Sequence, residues 1–361
     1  MRKFAILLCF VLLLLIIGGQ IVDYINYERE LNTVYSPQSL GPEKAYTSIT
    51  ISAVGDCTLG TDINFAGGGS FENEMKSVSY DYSHFLSNVR DIFEDDDLTI
   101  VNFEGTLSDR GVRQEKEYAF RGKPDYINIL TSSSVEATNL ANNHTRDYGE
   151  AAFSDTKDIM TTNNIIWFEG SNIAITEIKG IKIGLIGVNT QRHRDKANFL
   201  NNLDKLKESE PDIIIASFHW GVEKAATPDD SQISLAHSAI DNGVDLVIGH
   251  HPHVLQGIEK YNGKYIVYSL GNFCYGGSRN PADMDTMIFR QTFLFDEGEP
   301  LPEENVSIIP CSISSSDKRN NFQPTPLSGK EFDRVKEKLF ERSSDFPGIE
   351  DINFIEIEKG M

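Results

Sequence analysis

Eight short apolar runs, each closed by a polar, glycine-containing segment, constrain this chain more than any other feature. They cover residues 49–54, 98–101, 165–168, 173–178, 181–188, 213–218, 246–248 and 265–270. Their length and β-branched content predict strands buried on at least one face. Helical spacing lies between them. Residues 82–93 place Phe85, Leu86, Val89, Ile92 and Phe93 on one stripe, and residues 151–161 and 231–242 show the same period. Strand and helix in alternation predict an α/β protein. Lys179 and Gly180, between two apolar runs, predict an antiparallel hairpin and therefore mixed sheets.

The two ends differ in character. Arg2 and Lys3 precede an uncharged stretch over residues 4–22, closed by Asp23. As a helix it spans roughly 28 Å, close to the hydrocarbon thickness of a bilayer. The basic flank predicts a single-pass anchor over residues 1–23, with a cytoplasmic N-terminus and an extracytoplasmic main domain. A cleaved signal peptide is the rival reading, and Gly18-Gly19-Gln20-Ile21-Val22 is a poor cleavage site. Residues 24–48 read as a polar stalk, and residues 49–276 as the main domain. Residues 277–361 read as C-terminal strands and a helix packed on that domain. Among them residues 306–309 form a strand, and Ser328 with Glu331 forms a capping box ahead of Phe332, Val335 and Leu339.

A formal charge of −21 excludes nucleic acid, whose phosphates require clustered Lys and Arg. An acidic surface repels polyanions in general, so an anionic substrate has to be held locally, for example through metal ions. Beyond Cys9 in the apolar stretch, only Cys57, Cys274 and Cys311 remain, too few and too odd for a disulfide scaffold. Cys57 reads as a small buried residue.

Polar residues cluster just beyond the predicted strands. Asp56 follows the first run, Glu104 the second, and His219 ends Ile-Ile-Ile-Ala-Ser-Phe-His-Trp-Gly. Asn143 and His144 lie in Asn-Leu-Ala-Asn-Asn-His, and His250, His251 and His253 in Val-Ile-Gly-His-His-Pro-His. Strand ends are where α/β sheets bind ligands. Taken singly, Asp56 or Asn143 suits a turn or a helix cap, and His219 suits a satisfied core position. Three imidazoles in one turn have no such explanation. Five of the eight histidines fall at these strand ends, and imidazole with carboxylate suits one or two divalent ions of Mn, Zn or Fe. His84 and His237 read as structural or surface residues. His193, beside Arg192 and Arg194, reads as part of a loop, either an anion site near the pocket or a solvated segment.

Six ordered motifs carry a resemblance over residues 50–275: Gly-Asp-x-x-Leu-Gly, Asn-x-Glu-Gly, Asn-Asn-His-x-x-Asp-x-Gly, His-Trp-Gly-x-Glu, Gly-His-His-Pro-His-Val-x-Gln and Tyr-Ser-Leu-Gly-Asn-Phe. The chain resembles the CapA family, capsule-synthesis proteins linked to poly-γ-glutamate and related to calcineurin-like metallophosphoesterases. The resemblance implies a four-layer α/β/β/α sandwich with a two-metal site at strand ends. It implies Asp56 and His253 on the first metal, Glu104 as the bridging carboxylate, and Asn143, His219 and His251 on the second. His144 is then the residue that stabilises or protonates a leaving oxygen. The chain departs from the superfamily pattern at Thr58, where an imidazole is usual, and at Glu104, where an Asp is usual. His250 and Cys57 are the neighbours able to approach the first metal. Glu223 is expected to hold His219 by a hydrogen bond, Asn102 and Asn272 to orient loops or contact substrate, and Asp147 to cap the following helix.

The resemblance implies a hydrolase-type, phosphoesterase-like site acting on a cell-envelope bond. The alternative is a non-catalytic component that binds or exports the polymer. The expected partners are poly-γ-glutamate or a similar anionic polymer and membrane capsule-synthesis proteins.

Overall fold

The computed structural model describes residues 46–65, 67, 70–191 and 193–357. The expected anchor and nearly all of the stalk lie outside the described residues. Among the described residues, no helix is long and apolar enough to cross a membrane.

In chain order the strands are β1 (Thr47–Thr58), β2 (Leu98–Phe103), β3 (Thr106–Leu107), β4 (Arg121–Gly122), β5 (Ala137–Asn139), β6 (Ile166–Phe168), β7 (Ala174–Ile178), β8 (Ile181–Asn189), β9 (Ile213–His219), β10 (Leu246–His250), β11 (Ile258–Tyr261), β12 (Lys264–Val267), β13 (Asn272–Tyr275), β14 (Asp285–Asp296), β15 (Glu299–Ser312), β16 (Thr325–Pro326) and β17 (Asn353–Phe354). One sheet has the order β16-β15-β14-β1-β2-β5-β6, with β13 on β1 and β17 on β15. The other has the order β11-β12-β10-β9-β8-β7. Parallel strands fill the centre of the second sheet, and β7 and β11 pair antiparallel at its edges, so it is mixed as expected. The β7–β8 turn has φ 53° at Lys179 and 82° at Gly180, the left-handed pair that a two-residue hairpin needs.

Alternation along the strands decides what each sheet buries. Ile49 and Ile51 of β1, Leu98 and Ile100 of β2, Ile183 and Leu185 of β8, Ile213 and Ile215 of β9, and Leu246 and Ile248 of β10 share one buried cluster that draws on both sheets. The alternate residues of the second sheet, including Ile186, Ile214 and Phe218, pack with Phe199, Leu203, Ala236 and Ile240. Those partners come from the helices His193–Lys207 and Asp230–Asp241. Val101 and Phe103 of the first sheet pack instead with Phe85, Phe93, Phe153 and Met160. Each sheet therefore has an apolar face towards the other and an apolar face towards helices.

Three local expectations need correction. Residues 82–93 are not one helix but a 3-10 turn, Tyr82–Leu86, and a short helix, Arg90–Glu94. The apolar stripe is buried as expected, yet the Ser87 hydroxyl and the Gln323 amide both donate to the His84 carbonyl, taking an acceptor the continuing helix would use. The helix Gly329–Arg342 is present, but Ser328 makes no cap bond. Gly329 N–H donates to Glu356 at 2.6 Å, and Glu331 is held by Arg334 at 2.8 Å. Asp147 likewise does not cap the helix Gly149–Thr162, whose N-cap is Tyr148, because its carboxylate is engaged in the site described below.

The strands change character along their length, and this positions the site. The inward series Leu98, Ile100 of β2 continues into Asn102, Ile213, Ile215 of β9 into Ser217 and His219, and Leu246, Ile248 of β10 into His250. Register aligns these polar ends: Asp56 with Asn102, Asn102 with Asn139, Asn189 with His219, and His219 with His250. The space between the sheets is apolar at one end and polar at the other.

Gly55 fixes where Asp56 emerges. A Cβ on Gly55 would stand 2.2 Å from the carbonyl oxygen of Gly271, so only glycine lets β1 lie against the start of β13. The amide of Asp56 then donates to that carbonyl at 2.9 Å, setting Asp56 beside Asn272.

Candidate metal centre

Asp56 is the hub. One carboxylate oxygen accepts from the Asn102 amide at 2.8 Å, and the other lies 3.0 Å from His253 Nδ1. Burial alone would raise its pKa, but the hydrogen bond and charge of His253, with His250 and Asn102, hold it below the usual carboxylate value. His253 shows the opposite balance. Burial disfavours its charge, yet the Glu104 and Asp56 carboxylates push it up to about 9. Asn272 clamps this imidazole, its side-chain oxygen 2.9 Å from Nδ1 and its amide donating to the His253 carbonyl at 3.1 Å.

Glu104 completes a buried group with Asp56 and His253 whose candidate ligand atoms lie within 4.8 Å of one another. It is fully buried, and among the described residues neither carboxylate oxygen has a hydrogen-bond partner. Burial, then the charge of Asp56, pushes its pKa well above the ordinary value.

His219 Nε2 stands 3.5 Å from Glu104 and 2.9 Å from Asn143 Oδ1, so an imidazole, a carboxylate and an amide carbonyl converge. His251 follows, its ring centroid 4.7 Å from that of His219 and 5.8 Å from that of His253. Burial holds His219 well below the ordinary histidine value, aided by the charges of neighbouring imidazoles, and brings His251 to about 4. Both rings are therefore neutral near pH 7, the form in which imidazole binds metal. His251 and His253 sit at φ 94° and 59°, a left-handed strain that non-glycine residues bear only where the surroundings impose it.

His144 borders this group. Its Nδ1 lies 2.7 Å from Asp147, whose carboxylate also accepts from Lys116 at 2.8 Å and from the Phe120 amide at 2.6 Å. Burial holds His144 below its ordinary value, against the opposing pull of Asp147. Phe120 packs against it, the rings tilted by 36° with centroids 4.4 Å apart. His144, His253, Asn272 and Glu223 line a cleft of about 800 Å³.

The other expected neighbours sort themselves by contact. His250 is a tie between the sheets: Nε2 is 3.1 Å from the Val54 carbonyl and Nδ1 is 3.4 Å from the Ser217 hydroxyl, so neither nitrogen is left for an ion. Replacing His250 with Ala is expected to cost on the order of 2–4 kcal/mol in urea denaturation, from the lost contact and the space left behind. Full stability with loss of bound metal would instead make His250 a ligand. Cys57 is a buried thiol pushed up to about 12 by burial and packed in an apolar cluster. His219 Nδ1 faces Asn102 at 3.4 Å, while the Glu223 carboxylate stands with His251 and His253 and not against His219. His237 pairs with Glu259 at 2.9 Å and stacks on Tyr261. The backbone of His193 opens a helix, not a loop, and Arg192 lies outside the described residues.

Sequence reasoning missed a polar floor. Asn139 donates to Asn102 at 3.2 Å and, across the sheets, to Ser217 at 3.0 Å, while Asn142 donates to the Phe103 carbonyl at 2.8 Å. Gln191 meets His251 Nε2 at 2.6 Å, and Lys116 reaches the Asn143 carbonyl at 3.0 Å. The inward alternation of Ala137 and Asn139 was a usable signal. For Lys116, on a distant loop, there was none.

The family profile described as bacterial capsule synthesis protein PGA_cap matches residues 50–276. The chain belongs to that family. It is 29% identical over 258 residues to the PGA biosynthesis protein CapA of Bacillus subtilis, covering 64% of this chain and 65% of that protein. It is 25% identical over 293 residues to the capsule biosynthesis protein CapA of Bacillus anthracis, covering 73% of this chain and 67% of that protein. The chain thus spans about two thirds of the length of these relatives.

Proposed function

We propose that this chain is a membrane-anchored, extracytoplasmic, metal-dependent hydrolase of capsule or poly-γ-glutamate assembly, acting on a phosphoester or related envelope bond. Glu104 carries the reading. A fully buried carboxylate without a hydrogen-bond partner, set between Asp56, His219 and His253, is costly unless a cation answers it. The mixed imidazole, carboxylate and amide donors suit Zn, Mn or Fe.

Asp56, Glu104, Asn143, His219, His251 and His253 would hold one or two such ions. A bound divalent ion supplies Lewis-acid neutralisation of charge on a phosphoryl or carboxyl group. The chain's own residues do the rest. Asp147 and Lys116 fix the His144 ring at the cleft wall, where it would stabilise or protonate a leaving oxygen. Phe120, packed against that ring, keeps water from one side of it. The three apolar clusters support a four-layer α/β/β/α arrangement of the metallophosphoesterase kind. The uncharged stretch over residues 4–22 supports the anchor, with a cytoplasmic N-terminus. The names of the relatives support an anionic envelope polymer and membrane-bound assembly proteins as partners.

The test pairs metal content with a panel of phosphomonoesters, phosphodiesters and esters. Bound metal, with turnover lost in His144→Ala while the metal stays, is the expected result. Bound metal without turnover, together with capsule loss in cells carrying His251→Ala, would replace hydrolysis with a polymer-binding or export role. A chain that takes up no metal would end the metal centre and the hydrolytic mechanism together.

A further inference from the structure

We propose that Glu223 is a metal ligand, joining His251 and His253 to form an outer ion position beside the buried one at Asp56 and Glu104. The inference rests on the metal-centre reading above and adds a residue to it.

Three observations lead there. The candidate ligand atoms of Glu223, His251 and His253 lie within 4.8 Å of one another, and His253 also belongs to the buried group with Asp56 and Glu104. Donors that share an ion at roughly 2.0–2.2 Å stand roughly 3–4 Å apart, so a small movement of an exposed side chain closes the shell. Among the described residues, Glu223 forms no hydrogen bond or close ion pair, so its carboxylate is not already committed to either imidazole.

The backbone brings these groups together deliberately. The amide of Lys224 donates to the Pro252 carbonyl at 2.8 Å, which ties the Glu223 loop directly to the turn that carries His251 and His253. Gly221 and Lys224 flank Glu223 at φ 75° and 64°, and His251 and His253 are left-handed as well. Four left-handed residues gathered around one point mark a constrained functional turn. Glu223 and His253 also share the wall of the cleft, so an ion held there would meet substrate entering from outside.

Two imidazoles with one carboxylate form a donor set suited to Zn, and compatible with Mn or Fe. The outer ion is the one whose shell Glu223 completes. The buried position keeps Asp56 and Glu104 whether or not Glu223 is present.

The full chain and its Glu223→Ala, Glu223→Gln and Glu223→Asp variants are stripped with chelator and titrated calorimetrically with Zn2+ and with Mn2+. Two ions are expected in the wild type. Ala and Gln should bind one of them at least tenfold more weakly and leave the other unchanged, with Asp intermediate. Melting of the metal-free variants should match the wild type, since Glu223 is exposed, and this separates ligand loss from misfolding. Equal stoichiometry and affinity in Ala, Gln and wild type would overturn the role of Glu223 while leaving the metal centre intact. A wild type that binds no ion would overturn both, and the two failures are told apart by the wild-type titration alone.

Discussion

Asp56→Ala is expected to weaken divalent-ion binding by a factor of about 100 or more, a loss of roughly 2.7 kcal/mol. Asp56 is fully buried, it is kept ionised by His253 and Asn102, and it belongs to the group that includes Glu104. Removing it takes away a ligand and also releases His253, which loses one of the two carboxylates that raise its pKa. Asp56→Asn separates charge from shape. The amide oxygen can still accept from Asn102, so a comparable loss would assign the effect to the missing charge. Titration of chelator-stripped protein with Mn2+ and Zn2+ reads both variants, and wild-type affinity in Asp56→Ala would dismiss the centre.

The second large effect concerns stability and pH. The folded pKa of Glu104 is raised well above its ordinary value of 4.5. Between these values the unfolded chain gives up its proton while the folded chain keeps it. The contribution of Glu104 to the stability of the metal-free protein is therefore full below pH 4.5, falls as pH rises towards the folded value, and levels off above it. Glu104→Gln removes this penalty. The metal-free variant should melt several degrees above wild type at pH 8, at on the order of 2–4 °C per kcal/mol, and close to wild type at pH 4. The ion should then stabilise the variant far less. In wild type an ion at a hundred times its Kd contributes about 2.7 kcal/mol. A metal-free Glu104→Gln protein that melts lower at pH 8 would mean the carboxylate already has a stabilising partner.

Both effects come from one arrangement, a carboxylate pair and several imidazoles closed between two sheets. Asp56 and Glu104 share a buried group, and the repulsion between them is part of why Glu104 holds its proton. A divalent ion bound there would remove that repulsion and let both ionise. Metal binding should accordingly release protons, chiefly from Glu104 and His253.

Much of this was legible from the chain. Strand runs ending in Asp56, Glu104, His219 and the His-His-Pro-His turn marked the site, because period-two alternation carries an apolar face into a polar end. The hairpin at Lys179 and Gly180 was legible because a left-handed turn selects its residues. Asp147 was misread as a helix cap, since sequence spacing does not reveal that Lys116 and the Phe120 amide arrive from a distant loop to claim it. His250 and His251 are neighbours in sequence with different fates. One ring crosses to the Val54 carbonyl, and the other turns to the cluster through a left-handed backbone.

Local periodicity and ordered motifs were enough for the α/β class, the strands that end in ligand-type residues, and the family. Which of those residues meet is a property of the folded chain. Sheet register aligned Asp56 with Asn102 and His219 with His250, and packing between the sheets closed Glu104 away from every hydrogen-bond partner. The loop tie from Lys224 to Pro252 moved Glu223 from His219 to His251 and His253. Such meetings depend on contacts between residues far apart in the chain, which no local pattern encodes.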